Sequence, residues 1–267
     1  MQKSNVNSIS QVLAAGRASQ QCIELDPSWW GFGGVHGGVA LGLLTAAMCA
    51  RTEGHALQQV SGRFHRPLRE PFTLHVMDQG TGKTVSWWAA HARVNNQIVI
   101  SASAVFAAAA ARPGTAATPS MPTVPLPSAC PVFTVPREFV PFAGRMEIRP
   151  IGRARPFSRG ANPELMAWLR LIDDDLPVDP IRLVVLMDSL APSYSAVLDT
   201  PTPIPTVTFT VTPSAGLGST ESSWVLLRAR TEFCRNDGWL LERLDAWAPN
   251  GNHLGSGEQL RFIKRVV

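Results

Sequence analysis

The stretch Ile181-Arg182-Leu183-Val184-Val185-Leu186-Met187-Asp188-Ser189-Leu190 decides how this chain is interpreted. Its apolar residues predict a helix packed inside the protein, with start signals at Asp179 and Pro180 and a stop signal at Pro192. Asp188 is the exception in this run, because burying an ionised carboxylate without partners costs several kcal/mol. The sequence therefore predicts that hydrogen-bond donors surround Asp188.

A second apolar helix is predicted to open at Gly33-Gly34-Val35-His36-Gly37-Gly38 and to run to about Ala50. Strand-like segments accompany each helix, at residues 60–66, 72–77, 85–94 and 98–106 in the first half and at 165–172, 206–212, 224–233, 240–248 and up to 263 in the second. This common order indicates an internal repeat. We predict an α+β fold in which each long helix is wrapped by a curved antiparallel sheet, the two sheets being joined edge to edge.

The two halves are separated by a proline-rich segment, residues 112–141. No helical or alternating pattern survives there, which predicts an extended connector. We accordingly predict an N-terminal domain over residues 1–111 and a C-terminal domain over residues 142–267.

Composition excludes several classes of protein. A chain of 267 residues that is 45% hydrophobic can bury a substantial core, which excludes disorder of the whole chain. The net charge of +4 fits an anionic ligand, but the basic residues are scattered and form no run typical of nucleic-acid arms. We therefore expect no nucleic-acid partner.

Cysteine usage and hydropathy predict a cytoplasmic protein without a membrane span. The four cysteines stand far apart, without a CxxC pair or a histidine at metal-ligand spacing, so we interpret them as reduced thiols. Residues 1–20 contain no apolar core of signal-peptide length, and the longest apolar stretch, residues 39–50, is too short to span a bilayer.

Three polar residues distinguish the second half from the first. Aligning the halves on Pro67 and Pro213 sets Val60 against Thr206, and aligning their last turns sets Ser103 roughly against Gln259. The first helix has no carboxylate at all between residues 39 and 50. The trio Asp188, Thr206 and Gln259 therefore occurs in one half only, which indicates that this half carries chemistry.

The order of several segments resembles the acyl-CoA thioesterases with two tandem hotdog domains, the thioesterase II or TesB-like type. The resembling segments are Gly34-Val35-His36-Gly37-Gly38, Arg63-Phe64-His65-Arg66-Pro67, Leu186-Met187-Asp188-Ser189-Leu190-Ala191-Pro192, Pro205-Thr206-Val207-Thr208-Phe209-Thr210-Val211 and Ser256-Gly257-Glu258-Gln259-Leu260. Together they span nearly the whole chain outside the proline-rich connector.

The resemblance implies a double-hotdog enzyme that hydrolyses an acyl-CoA to the free acid and coenzyme A, without a metal or cofactor. Asp188, Thr206 and Gln259 match the family's catalytic residues, which hold one water against the thioester carbonyl. Asp188 would accept the proton of that water.

The oxyanion that develops on the thioester needs hydrogen-bond donors, and the free amides at a helix start can supply them. The first helix start, with His36, Gly37 and Gly38 as substrate-binding residues, is one candidate. The second helix start near Ile181 is the other.

Two other functions stay open at the level of sequence. A hotdog protein can bind acyl thioesters without hydrolysing them, and a hotdog hydratase would place a His-Asp pair in the site, for which His36 is the plausible histidine. Acyl length and the choice between coenzyme A and carrier-protein thioesters are not readable from the residues. Pairing of copies through sheet edges is an expectation from the family alone.

Overall fold

The computed structural model describes residues 8–18, 22–52, 54–108 and 117–264. Residues 112–116 of the predicted connector, and parts of the segment 1–20 considered as a signal peptide, lie outside the described residues. Within the described ranges the α-helices are α1 Ile9–Arg17, α2 Gly37–Cys49 and α3 Pro180–Met187. The strands are β1 His55–Phe64, β2 Thr73–Thr81, β3 Val85–Val94, β4 Gln97–Ala108, β5 Met146–Pro150, β6 Glu164–Leu171, β7 Thr206–Pro213, β8 Val225–Cys234, β9 Trp239–Trp247 and β10 His253–Phe262.

These ten strands form one antiparallel sheet in the order β2-β3-β4-β1-β7-β10-β9-β8-β6-β5. The two halves meet where β1 pairs with β7, from Val60 opposite Val211 to Arg63 opposite Thr208. Joining the two sheets in this way removes one exposed edge from each of them. The predicted edge-to-edge union of the halves and the double hotdog architecture are confirmed.

Helices α2 and α3 lie side by side against this sheet. Every residue of α2 from Gly38 to Met48 is buried, as expected for a helix that is apolar all round. Glycines let α3 approach closely: a Cβ atom on Gly38 would lie 2.7 Å from the carbonyl oxygen of Val185, and one on Gly42 would lie 3.1 Å from the Val185 side chain. One continuous core connects the two halves.

One α-helix and one strand were not predicted from the sequence. Helix α1 begins at a capping box formed by Ser8 and Gln11, and it packs so tightly on α2 that a Cβ on Gly16 would lie 2.8 Å from the Leu43 carbonyl oxygen. Strand β5 forms one edge of the sheet and pairs with β6. Both elements are short, and neither belongs to the helix and strands of the predicted repeat.

The described part of the connector, residues 117–141, contains no α-helix and no named strand, and it is fixed to the second half. The indole N–H groups of Trp168 and Trp247 donate to the carbonyl oxygens of Pro125 and Pro119, each at 2.9 Å. Buried indole groups need such partners. The connector therefore completes the surface of this half.

Candidate active site

Asp188 caps the C-terminus of α3, whereas the sequence predicted it inside the helix. The helix ends at Met187, and Asp188 has φ −100° and ψ 8°, outside helical geometry. The Ser189 hydroxyl donates to the Val185 carbonyl at 2.8 Å, satisfying one acceptor of the last turn, and Pro192 cannot continue the helix. The side chain of Asp188 is nevertheless largely buried, with 10% of it exposed.

The predicted donors around Asp188 are present. Gln259, fully buried on β10, donates from Nε2 to Oδ1 at 2.7 Å, and the Gly38 amide donates to Oδ2 at 2.7 Å. Hydrogen bonds to an ionised carboxylate are among the stronger ones in proteins. The carboxylate of the second half is therefore held by one group from each half.

Glycine is needed at the start of α2 because the carboxylate lies directly against it. A Cβ on Gly37 would lie 2.7 Å from Asp188 Oδ2 and 3.4 Å from the Phe64 ring. A Cβ on Gly38 would lie 2.9 Å from the Asp188 Cβ. The pair Gly37-Gly38 thus permits the contact between Asp188 and the helix start.

The two helix starts differ in how their free amides are satisfied. At α3 the Asp179 side chain accepts from the amides of Ile181 and Arg182, both at 2.8 Å. At α2 no side-chain cap is present, and in the described part of the chain the amides of Gly37 and Val39 have no hydrogen-bond partner. The start of α2 is therefore the better donor site for an oxyanion.

His36 lies at the same place and is buried. Its Nε2 is 3.1 Å from the Asp188 carbonyl oxygen, which can only accept, so Nε2 carries a proton and donates. The same Nε2 is 3.8 Å from Asp188 Oδ2, and the ring stacks on Phe142 with centroids 4.2 Å apart. Burial lowers the pKa of His36 below its usual value of 6.5, against the opposing effect of the Asp188 charge. The ring is therefore neutral near pH 7.

Thr206 makes no side-chain hydrogen bond to either of the other two predicted catalytic residues. It begins β7 opposite Arg261 of β10, beside an irregularity in the pairing of the two strands. Its hydroxyl makes no hydrogen bond to any residue that the structure describes. The structure brings together Asp188, Gln259, His36, Gly37 and Gly38, and it leaves Thr206 outside these contacts.

Two buried charged residues were not predicted from the sequence. Arg261 lies with a guanidinium nitrogen 4.0 Å from Asp188 Oδ1, and its Nε donates to Glu242 Oε2 at 2.7 Å. Glu242 is 1% exposed. Leu240 and Leu244, two residues away on β9, are buried as well. The alternation of apolar residues along this strand could therefore have predicted that Glu242 is buried.

The described residues provide neither a metal centre nor a membrane span. They contain no group of three or more His, Cys, Asp or Glu side chains placed to hold a metal ion. No helix in the described ranges has the length and hydropathy needed to cross a membrane.

Comparisons with known proteins identify the family of the chain. The chain matches the family model of the acyl-CoA thioesterase N-terminal domain over residues 26–107 and that of the C-terminal domain over residues 127–263. A comparison with curated proteins finds no match.

Solved structures of similar fold cover almost the whole chain. A hot dog fold protein of unknown function from Alicyclobacillus acidocaldarius has a TM-score of 0.83 at 22% identity, covering 95% of this chain and 99% of its own. The acyl-CoA thioesterase II TesB2 from Mycobacterium marinum has a TM-score of 0.71 at 18% identity, covering 97% and 99%. The tesB protein from Mycobacterium avium subs paratuberculosis has a TM-score of 0.74 at 17% identity, covering 97% and 100%.

Proposed function

We propose, since the chain belongs to the acyl-CoA thioesterase family, that it hydrolyses an acyl-CoA by direct attack of a water molecule held on Asp188. The products are the free acid and coenzyme A. The observation that carries the proposal is the position of the Asp188 carboxylate, which is largely buried, hydrogen-bonded by Gln259 and set against the start of α2.

In this mechanism Asp188 is the general base. An ionised carboxylate has about four acceptor sites, and Gln259 and Gly38 occupy two of them, so a water can donate to another. Gln259 Oε1 is buried without a hydrogen-bond partner among the described residues, and the same water would donate its second proton there. Thr206 would contact this water only, since its hydroxyl bonds to neither residue.

The water oxygen attacks the thioester carbonyl carbon while Asp188 takes its proton. The oxyanion that forms accepts hydrogen bonds from the amides of Gly37 and Val39 at the start of α2. The C–S bond then breaks, and the proton on Asp188 is returned to the leaving thiolate. No covalent intermediate with the enzyme is needed, because a thioester carbonyl is electrophilic enough for a positioned water.

The experiment is a hydrolysis assay. Acyl-CoA substrates of several chain lengths are supplied with a thiol-trapping reagent, and the free acid is identified in parallel. We expect equal amounts of thiol and free acid for at least one chain length. Saturable binding of acyl-CoA without thiol release would instead support a non-catalytic binding protein.

A second candidate, an enoyl thioester hydratase, is favoured by one observation. His36 Nε2 lies 3.8 Å from the Asp188 carboxylate, which is the kind of His-Asp pair that such an enzyme needs. However, this Nε2 donates to the Asp188 carbonyl, which leaves it unable to act as a base. Addition of water to a 2-enoyl-CoA without thiol release would establish this candidate in place of hydrolysis.

We also propose a cytoplasmic location and assembly of copies through sheet edges. The four cysteines are free thiols, as expected for a reducing compartment. The outer strand β2 has backbone groups on its outer side that can pair with another chain. At the other edge of the sheet, Phe133 of the connector already bridges Ile148 of β5.

A further inference from the structure

A buried row of polar residues crosses the second half of the sheet beside the candidate site. Thr231 of β8 lies opposite Glu242 of β9, which lies opposite Gln259 of β10. Residues directly opposite in neighbouring strands share one face of the sheet. Glu242 is therefore on the same face as Gln259, one strand away from it.

Glu242 requires compensation because its carboxylate is fully buried. Arg261 donates from Nε to Oε2 at 2.7 Å, and the Ser193 amide donates to Oε1. The Ser193 hydroxyl in turn bonds the Thr231 hydroxyl at 2.8 Å. Such a pair of buried charges stabilises a fold little when compared with apolar residues of similar volume, which points to a functional reason for the pair.

Arg261 connects this pair to Asp188. Its guanidinium is held by Glu242 and by the Ile204 carbonyl oxygen at 3.3 Å, while one of its nitrogens stays 4.0 Å from Asp188 Oδ1. At that separation the positive charge still favours the anionic carboxylate. A direct two-pronged contact would instead occupy the acceptor sites that a water needs.

We propose that Arg261 and Glu242 are positioning residues for Asp188, and this rests on the proposed role of Asp188 as the base. Arg261 places a positive charge beside the base, and Glu242 prevents Arg261 from forming a direct pair with it. Among the described residues, the other groups that hydrogen-bond to Asp188 through a side chain or a helix-start amide are neutral: the His36 ring and the Gly38 amide at the start of α2, and the Gln259 amide from β10.

The test is the pH profile of kcat for acyl-CoA hydrolysis in two variants. Glu242→Gln removes the charge that balances Arg261, so we expect the acidic limb to move to lower pH by about one unit and kcat to fall about tenfold. Arg261→Met removes the cation, so the limb moves to higher pH. A purely structural role would not move the limb in opposite directions.

The controls separate folding from positioning. E242Q/R261M removes both charges, and we expect the acidic limb of its pH profile to return near that of the wild type. The double variant can be measured even where R261M fails to fold. Arg261→Lys keeps the charge and is expected to keep the limb. Glu147→Gln, which removes a charge from an ion pair with Arg170 at the β5 edge of the sheet, should change neither limb nor kcat.

An acidic limb that stays at its wild-type pH in E242Q, with kcat within twofold, would overturn the proposal. Asp188→Asn distinguishes this from failure of the proposed function. If D188N is inactive while E242Q is unchanged, only the positioning role is lost. If D188N keeps wild-type activity, the base itself is wrongly assigned.

Discussion

The starts of helices α2 and α3 differ in which groups bind their free backbone amides. The start of α3 is capped by its own neighbour, Asp179, so its amides are used within one half. The start of α2 lacks such a cap, and one of its amides binds Asp188 from the other half. A repeated unit has thus become asymmetric: the first half supplies donors and the second supplies the carboxylate.

Among variants that leave Asp188 itself unchanged, the largest effect is expected from Gly37→Ala, which disturbs the contact between the two halves. The added Cβ would lie 2.7 Å from Asp188 Oδ2, so the carboxylate must move away from the start of α2. Because a displacement of about 1 Å can cost about 100-fold in rate, we expect kcat to fall by that order.

Gly42→Ala is the matched control for this variant, since the three atoms nearest to its Cβ would be side-chain atoms of Val185, Leu13 and Ile181. Steady-state hydrolysis and thermal unfolding are measured for both variants. If G37A were as active as G42A, catalysis would not depend on the contact between Asp188 and the start of α2.

The next effect concerns the bond between Gln259 and Asp188. Gln259→Leu removes the donor to Oδ1, and a hydrogen bond to a charged group is worth about 1.5–3 kcal/mol, so kcat should fall roughly 10- to 100-fold. Gln59→Leu, which alters an exposed glutamine bonded to Thr212, is the control. Loss of stability without loss of kcat in folded Q259L would reduce Gln259 to a packing role.

A smaller effect is expected at Thr206. Its hydroxyl reaches Asp188 only through water in the proposed mechanism, so Thr206→Ala should lower kcat by about fivefold, the value of one neutral hydrogen bond. Thr206→Ser keeps the hydroxyl and should retain most of the activity. Equal kcat values for T206A and T206S would remove this residue from the mechanism.

The smallest expected effect is a pH dependence of the free energy of unfolding, to which His36 at the start of α2 contributes. Burial lowers the pKa of folded His36, so the unfolded chain binds more protons near its ordinary pKa of 6.5. The stability is therefore complete above pH 6.5 and declines as the pH falls through that value. His91 and His253, whose pKa values burial also lowers, add to the same trend.

Urea unfolding at several pH values between about 5 and 8 measures this trend, with His36→Gln as the comparison. The variant should show a weaker decline toward acid, because a neutral side chain replaces the ring. The same slope in both proteins would mean that His36 does not contribute.

Much of the fold could be predicted from local pattern, and the reasons are visible in particular elements. The apolar helix α2 and the strands at Val85–Val94 and Gln97–Ala108 follow from hydrophobic runs and turn residues. Helix α1 was not predicted, although Ser8 and Gln11 form a capping box. Its stability comes from packing on α2, which a local pattern does not reveal.

The site was only partly predictable for a similar reason. Asp188 stood out because a carboxylate in an apolar run is costly, and the resemblance supplied Gln259. Arg261 and Glu242 acquire meaning only when β9 and β10 are paired in register, which brings residues 19 apart in sequence into contact. The choice of α2 over α3 as donor likewise required the caps to be seen in three dimensions.

The role of Asp188 as the base is tested by kcat of Asp188→Asn with the best acyl-CoA substrate, measured by thiol release on protein whose folding is verified by thermal unfolding. The asparagine keeps the shape of the side chain but cannot accept the proton of water. If Asp188 is the base, kcat falls by about 100- to 10,000-fold. Hydrolysis by D188N at the wild-type rate would contradict that role.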